Sequence, residues 1–180
     1  MCSIEAEYRR YKALAEGAMA QLSSEELCSA RLESDNSIAT LVWHISGNLK
    51  SRFTDFLTAD GEKEWRNRES EFEGRDVTRE VLLAKWDEGW RILFAALEEL
   101  SDSSFGHTVL IRGVPLKVHE ALHRSLAHAS YHVGQIVQIA KAVRGSGWES
   151  LSIPPGQSEA YRDRPSLDRP LDQVKAIDER

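Results

Sequence analysis

The chain has 180 residues and a formal net charge of −6 at pH 7, a length typical of one domain that buries a hydrophobic core. The acidic balance, with no basic stripe, argues against a nucleic-acid partner, and no apolar run approaches membrane-spanning length. Cys2 and Cys28 form no spaced framework, and the N-terminus has no apolar signal core. We therefore expect free thiols, a cytoplasmic location and no membrane partner.

Hydrophobic periodicity predicts an all-α fold with four long helices, because apolar residues recur at steps of three and four. The four predicted helices span residues 3–22, 37–57, 76–100 and 119–144. Residues 58–75 between the second and third are charged and irregular; a loop of this length is often functional or interfacial, although a solvated connection is the default interpretation. Residues 107–118 have the pattern of a short β-hairpin that turns near Arg112 and Gly113.

A change in composition near residue 160 divides the chain in two. Residues 1–160 contain the predicted helices and form the expected domain, whereas residues 161–180 are rich in Arg, Asp and Pro. Such a polar segment buries too little apolar surface to fold by itself. We predict a mobile C-terminal tail with at most a short helix over residues 171–177.

The helix over residues 119–144 contains four histidines in two pairs, His119/His123 and His128/His132. Spacing i, i+4 places two imidazoles on one face of a helix, close enough to bind one metal ion. At about 100° per residue, the pairs point to opposite sides of the helix, so they cannot share a site.

The first pair lies in the sequence HEALH, which matches the zinc-protease pattern H-E-x-x-H. The extended form of that motif needs a glycine and a histidine where this chain has Leu126 and Ala129. Glu120 and His123 also match the Glu-x-x-His element of di-iron bundles, but the required second copy is missing. Both interpretations of the first pair are therefore disfavoured.

The second pair, His128 and His132, lies in the middle of the helix beside its apolar stripe. A lone H-x-x-x-H is weak evidence, and from the spacing alone two hydrogen-bonded histidines at the edge of a core are the favoured explanation. A third candidate ligand, His44, lies beside the apolar stripe of the helix over residues 37–57. Asn48 follows one turn later and is a candidate to orient a ligand or a bound water.

Two motifs also indicate a family. They are WHISGNLKSRF, which begins at Trp43, and HxxYHVGQI, which begins at His128. Together they resemble the DinB/YfiT-like superfamily. The segments FLTADGEK from Phe56 and TVLIRG from Thr108 are similar to one uncharacterised bacterial subfamily within it. The resemblance covers residues 1–160 and leaves the tail outside.

The resemblance implies a four-helix bundle with up-down-down-up connections, often assembled as a homodimer. It also implies a divalent metal, usually zinc or nickel, on three histidines. The matching positions in this chain are His44, His128 and His132, whereas His119 and His123 match no ligand of the family. The family has no fixed general base that can be transferred, so the catalytic residues stay unassigned.

Characterised relatives in the superfamily include transferases and isomerases that use low-molecular-weight bacterial thiols. By resemblance, the leading function is a metal-dependent thiol S-transferase in detoxification or stress response, with a small-molecule substrate. The metal would bind the cofactor thiol and activate it as a thiolate. Glutathione, bacillithiol and mycothiol all satisfy this interpretation.

Two alternatives remain open at this point. The first is a metal-dependent hydrolase that uses metal-bound hydroxide as nucleophile, with Asp55 or His107 as a conceivable assisting group. The second is a non-catalytic protein in which the metal is structural or the bundle is a dimeric binding module. A fourth protein ligand that closes the metal site would favour this second alternative. The aromatic-bearing loop around Trp65 is the expected dimer surface.

Overall fold

The computed structural model describes residues 2–30 and 35–179, with the side chain of Cys2 outside the description. The α-helices of these residues are α1 (Cys2–Ala20), α2 (Ser24–Cys28), α3 (Ile38–Phe53), α4 (Arg79–Glu98), α5 (Val118–Arg144), α6 (Ser158–Asp163) and α7 (Pro170–Asp178). An antiparallel hairpin of β1 (Thr108–Ile111) and β2 (Val114–Lys117) precedes α5. No helix among them combines the length and the apolar character that crossing a membrane requires.

The predicted helical class and the hairpin before the last long helix are confirmed. Helices α1, α3, α4 and α5 correspond to the four predicted helices. The second predicted helix extended to residue 57, but α3 ends at Phe53. Asp55 has a positive φ of 50°, and its carbonyl accepts hydrogen bonds from the amides of Thr58 and Ala59. A tight turn therefore replaces the last predicted helical turn.

Side-chain caps and a glycine define where the long helices begin and end. The Ser37 hydroxyl accepts a hydrogen bond from the Thr40 amide at 3.1 Å and begins α3. Thr78 caps α4 in the same way. Gly145, with φ at 56°, ends α5 where a residue with a Cβ would be strained. These are the local signals expected at helix ends, and they position α3 and α5 along the chain.

The long helices enclose one apolar core with a cluster of aromatic rings in it. Helix α3 packs against α4 and α5, and α1 packs against α5. Trp86 and Trp90 of α4 are fully buried, and the ring of Tyr8 meets Trp90 edge to face at 6.3 Å. The Tyr8 hydroxyl donates to the Leu122 carbonyl at 2.9 Å. The aromatic cluster thus joins α1, α4 and α5, and the buried hydroxyl of Tyr8 has a hydrogen-bond partner. The particular bundle connection implied by the resemblance stays a prediction.

The loop over residues 58–75 is anchored to the body of the protein, not solvated as its charged composition indicates. The Asp60 carboxylate accepts hydrogen bonds from the backbone amides of Arg112 and Gly113 at 2.8 and 2.7 Å. Arg112 has a positive φ of 56°, so these bonds support an uncommon backbone conformation at the hairpin turn. A 3-10 turn at Glu69–Phe72 then brings the loop against α3. The loop and the hairpin form one cover beside α3 and α5.

The C-terminal segment contains a helix that docks on α1. Gln173 and Ile177 of α7 are 4% and 8% exposed. The Gln173 side chain accepts a hydrogen bond from Arg10 at 2.6 Å and donates to the Leu151 carbonyl at 3.0 Å. The division of the chain at residue 160 and the mobility of the tail stay predictions, while the short helix forms near its expected position.

Candidate metal centre

Three histidines converge between α3 and α5. His44 comes from the middle of α3, and His128 and His132 come from successive turns of α5. One ring nitrogen of each lies within 4.8 Å of those of the others, and Nε2 of His44 is 3.1 Å from Nε2 of His128. Metal–nitrogen bonds of 2.0–2.1 Å place tetrahedral ligands about 3.3 Å apart. The separation of His44 and His128 is close to this value, and the three donors form a group that could hold one divalent ion. Ligation by these predicted residues stays a prediction.

A buried carboxylate orients His44. Nδ1 of His44 is 2.9 Å from Oε2 of Glu71, and both side chains are almost fully buried. Arg66 forms two further hydrogen bonds to the same carboxylate, at 2.8 and 2.9 Å. An ionised carboxylate only accepts hydrogen bonds, so Nδ1 of His44 must be the donor. Nε2 then presents its lone pair to the cluster, as in metal sites where a carboxylate supports a histidine ligand.

The ionisation of Glu71 follows from its partners. Burial by itself raises the pKa of this carboxyl, but the hydrogen bonds from His44 and Arg66 and the charge of Arg66 outweigh it. The net result is a Glu71 pKa below its ordinary value. The group is therefore a carboxylate at neutral pH and holds one tautomer of His44.

A glycine makes room for this carboxylate. Gly47 lies three residues after His44 on the same face of α3, and a Cβ at this position would be 2.2 Å from Oε1 of Glu71. Any side chain here would displace Glu71 from His44 and Arg66. The glycine in the motif WHISGN thus has a steric role beside the histidine.

His132 is oriented by a residue of its own helix. Nδ1 of His132 lies 2.7 Å from Oε1 of Gln135, and donation to this amide oxygen leaves Nε2 free for the cluster. Burial, followed by the nearby His44, lowers the pKa of His132, although the bond to Gln135 opposes the shift. Burial together with His132 and His44 lowers the pKa of His128 to about 3. The imidazoles of His128 and His132 are thus neutral at pH 7, and the neutral form is the one that binds metals.

The cluster opens into a cavity of about 550 Å³. Its apolar wall includes the rings of Phe53 and Phe56, whose centroids are 5.0 Å apart. The cationic side chains in the wall are Arg52, Arg66, Arg68, Arg112 and Arg124. Within residues 2–30 and 35–179, no acidic side chain lines the cavity. A small organic molecule of drug-like size fits this volume and would lie beside the three imidazoles.

The other residues predicted for the site have different roles. Asn48 lines the cavity, but it forms no hydrogen bond to the histidines in the described part of the chain, where Glu71 and Gln135 orient the rings. Gln135 was detectable from the sequence, because it lies one turn after His132. Glu71 had no such signal, because it is 27 residues from His44. Asp55 and His107 are exposed and do not line the cavity.

The pair His119/His123 lies outside the cluster. Both side chains are exposed, their ring centroids are 6.3 Å apart, and Nδ1 of His119 lies 3.1 Å from the Phe105 carbonyl. The Glu120 carboxylate accepts a hydrogen bond from the Lys117 amide at 2.7 Å and so caps the start of α5. The H-E-x-x-H pattern therefore lies at the start of α5.

The fold and the site define a mostly helical protein with a three-histidine cluster at an open cavity. The chain belongs to the family described as Protein of unknown function (DUF1572), whose model matches residues 1–157. This match includes all three histidines and the residues that orient them. No curated protein and no solved structure matches the chain. The DinB/YfiT-like resemblance stays a prediction beside this family assignment.

Proposed function

We propose that this protein is a metal-dependent enzyme of the DinB-like type that transfers a low-molecular-weight thiol to a small-molecule substrate. One observation carries the proposal. Three imidazoles, two of them already held by hydrogen bonds at the opposite ring nitrogen, converge at the wall of a cavity of about 550 Å³. A zinc or nickel ion is the expected occupant, because imidazole suits both metals.

The number of protein ligands supports a catalytic centre over a structural one. Structural zinc sites have four protein ligands, whereas catalytic sites have three and keep a position for substrate or water. In the part of the chain that the structure describes, the cluster comprises His44, His128 and His132 without a carboxylate or thiol as a fourth member. The non-catalytic alternative is therefore less well supported.

The chemistry divides between the metal and the chain. A divalent ion held by three neutral imidazoles supplies a Lewis acid that lowers the pKa of a coordinated thiol toward neutrality. The chain supplies the rest: Glu71 and Gln135 fix the ring orientations. The apolar wall around Phe53 and Phe56 excludes water from the organic part of a bound molecule.

We also infer that α1, α3, α4 and α5 form the DinB-type bundle. The pairwise packing of these helices, the long loop between α3 and α4, and the hairpin before α5 support that connection. Bundle cores commonly hold metals between facing helices, and the three histidines come from α3 and α5.

Metal content tests the site. We expect about one equivalent of zinc or nickel in the wild-type protein by elemental analysis. The variant His128→Ala/His132→Ala should lose the metal, and the matched variant His119→Ala/His123→Ala, with the same spacing on the same helix, should retain it. Loss of metal only from the second variant would overturn the site assignment.

Activity tests the reaction class. Metal-loaded protein should accelerate the consumption of monobromobimane by glutathione, bacillithiol or mycothiol, and His128→Ala/His132→Ala should abolish the acceleration. Turnover of esters or amides without any thiol would instead indicate the hydrolase alternative. That alternative has less support, because no carboxylate of the described residues lines the cavity as a general base.

A homodimer completes the proposal. Trp65 exposes 53% of its surface on the long loop, and an exposed tryptophan is more common at interfaces than elsewhere on surfaces. We expect sedimentation velocity at micromolar concentration to give the mass of two chains. A monomer at that concentration would remove the dimer from the proposal and leave the metal site unaffected.

A further inference from the structure

The charge of the cavity is opposite to that of the chain. The chain has a net charge of −6, yet five arginines line the cavity and no acidic side chain from the described residues does. A concave, partly apolar site strengthens the field of its charged groups, because water screens them less. The cavity therefore favours an anionic ligand.

Three of these arginines already have carboxylate partners. Arg66 binds Glu71 through two hydrogen bonds. Arg52 and Arg112 both donate to Oε2 of Glu62, at 3.0 and 2.8 Å. These three cations hold the loop and the hairpin in place, and a ligand would have to compete with the carboxylates for them.

Among the described residues, the other two arginines have no buried carboxylate partner. In the described part of the chain, no hydrogen bond or ion pair involves Arg124, although its side chain lines the cavity. The guanidinium of Arg68 lies 5.0 Å from the centroid of the Phe72 ring, and its carboxylate contact, at 3.3 Å, is with Glu69, which is 89% exposed. Exposed pairs of this kind contribute little energy and exchange easily. Arg124 and Arg68 are thus the cations that a ligand can use at low cost.

Arg124 is also positioned relative to the histidines by the geometry of α5. It precedes His128 by one turn, so the two residues lie on one face with Cβ atoms about 5–6 Å apart. A molecule of a few carbon atoms can therefore contact the guanidinium at one end and the three-histidine cluster at the other.

We propose that the cavity selects small molecules with a carboxylate or phosphate group, which binds Arg124 and Arg68. A second group of the same molecule would reach the three histidines, and this part of the inference rests on the proposed function. Guanidinium groups suit this task because their planar donors match carboxylate and phosphate oxygens in pairs.

Calorimetry on the full-length protein as purified tests the anion site. The probes are succinate, inorganic phosphate and the uncharged butane-1,4-diol. We expect one of the two anions to bind and the diol not to bind; comparing succinate with phosphate identifies the preferred anion. Arg124→Gln and Arg68→Gln should each weaken the binding about tenfold, the usual loss for a charge-assisted hydrogen bond. Arg91→Gln, an exposed arginine of α4 outside the cavity wall, should bind like the wild type.

A second measurement joins the anion site to the metal. In cobalt-loaded protein, the thiolate-to-cobalt absorption band reports coordination of mercaptosuccinate or of the uncharged 1-thioglycerol. We expect mercaptosuccinate to bind about tenfold more tightly, and Arg124→Gln to remove this preference.

Failure of the thiol-transfer proposal and failure of the anion site give different results. If no cobalt binds or no thiolate band forms, while anion binding still depends on Arg124, the thiol-transfer proposal fails and the anion site stands. If neither anion binds, if the diol binds as well as the anions, or if Arg124→Gln and Arg68→Gln change nothing, the anion site is wrong, whatever the thiols do.

Discussion

At the scale of single residues, the same spacing of histidines gives two different environments on α5. His119 and His123 are exposed and belong to the helix start, while His128 and His132 are largely buried beside His44. Burial, together with the nearby His132 and His44, lowers the pKa of His128 to about 3, so this imidazole is neutral over the physiological range. The environment, not the spacing, therefore makes one pair suitable for a metal.

The contact between Gly47 and Glu71 gives the first prediction. Gly47→Ala places a methyl group 2.2 Å from the native position of the Glu71 carboxylate, which must then leave His44. We expect metal affinity to fall about tenfold to a hundredfold, the usual effect of losing such a supporting hydrogen bond. Competition with a chromophoric chelator measures this affinity.

Glu71→Gln and Asn48→Ala are the matched comparisons for that prediction. Glu71→Gln removes the charge without changing the shape of the side chain, so it should weaken metal binding in the same direction. Asn48→Ala should leave the affinity nearly unchanged, because Asn48 does not bond to the ring nitrogens in the described residues. Equal losses in all three variants would contradict the role given to Glu71.

At the scale of elements, a glycine sets how closely α3 and α4 approach. A Cβ on Gly89 would lie 2.6 Å from the Cα of Ser46, so only glycine fits this crossing. A glycine inside a helix normally costs about 1 kcal/mol relative to alanine. The close contact of the two helices offsets that cost, and it also fixes the direction of α3, on which His44 lies.

Gly89→Ala and Gly134→Ala should therefore change stability in opposite directions. Gly89→Ala should lower the free energy of unfolding by about 2 kcal/mol through overpacking. Gly134 lies inside α5, and in the described part of the chain a methyl group there would meet no atom within 4 Å outside its own stretch of helix backbone. Gly134→Ala should therefore raise the free energy of unfolding by about 0.5–1 kcal/mol. Thermal unfolding followed by circular dichroism gives both values, and stabilisation by Gly89→Ala would refute the close crossing.

An ion-pair network across the same two helices gives a pH-dependent prediction. Lys50 of α3 and Lys85 of α4 donate to Glu88 at 2.6 and 2.8 Å. Hydrogen bonds from Lys50 and then Lys85 lower the pKa of Glu88 from 4.5 to about 2. Because the folded pKa is the lower one, the stabilisation is complete above pH 4.5 and disappears as pH falls toward 2.

Glu88→Gln should accordingly lower the free energy of unfolding by about 1 kcal/mol at pH 7, a value reduced for the partial exposure of the pair. The difference from the wild type should shrink as pH falls from 4.5 toward 2, because the carboxylate of the unfolded chain is protonated in this range while that of the folded chain stays ionised until about pH 2. Urea unfolding of both proteins at a series of pH values measures this difference in the free energy of unfolding. Glu98→Gln, on the exposed face of α4, is the control and should have little effect at any pH.

At the scale of the whole molecule, the site depends on parts that are distant in sequence. Helices α3 and α5 supply the histidines, while the loop over residues 58–75 supplies Glu71 and Arg66. Asp60 holds the hairpin turn, which places Arg112 in the cavity wall. Displacement of the loop would therefore disturb ring orientation and cavity charge together.

The docking of α7 on α1 gives the last prediction. Ile177 is 8% exposed, whereas Leu171 of the same helix is 53% exposed. Ile177→Ala should lower the free energy of unfolding by about 2 kcal/mol, and Leu171→Ala by less than about 0.5 kcal/mol. Urea unfolding compares the two. Equal small effects would indicate that the C-terminal segment is the mobile tail that its composition predicts.

The sequence by itself determined the features that depend on near neighbours in the chain. Apolar steps of three and four located the four long helices, the Arg-Gly turn located the hairpin, and spacing i, i+4 paired His128 with His132. Such features arise from contacts within one or two turns, so the residue order specifies them.

Only the tertiary structure decided how closely the three histidines approach one another and what surrounds them. Glu71 reaches His44 from 27 residues away, and its neighbouring segment reads as a charged, irregular loop. The place of Arg124 in the cavity wall, the docking of α7 and the low pKa of His128 likewise depend on contacts between several elements. Burial and long-range distances result from the packing of the whole chain, so a local pattern of residues does not predict them.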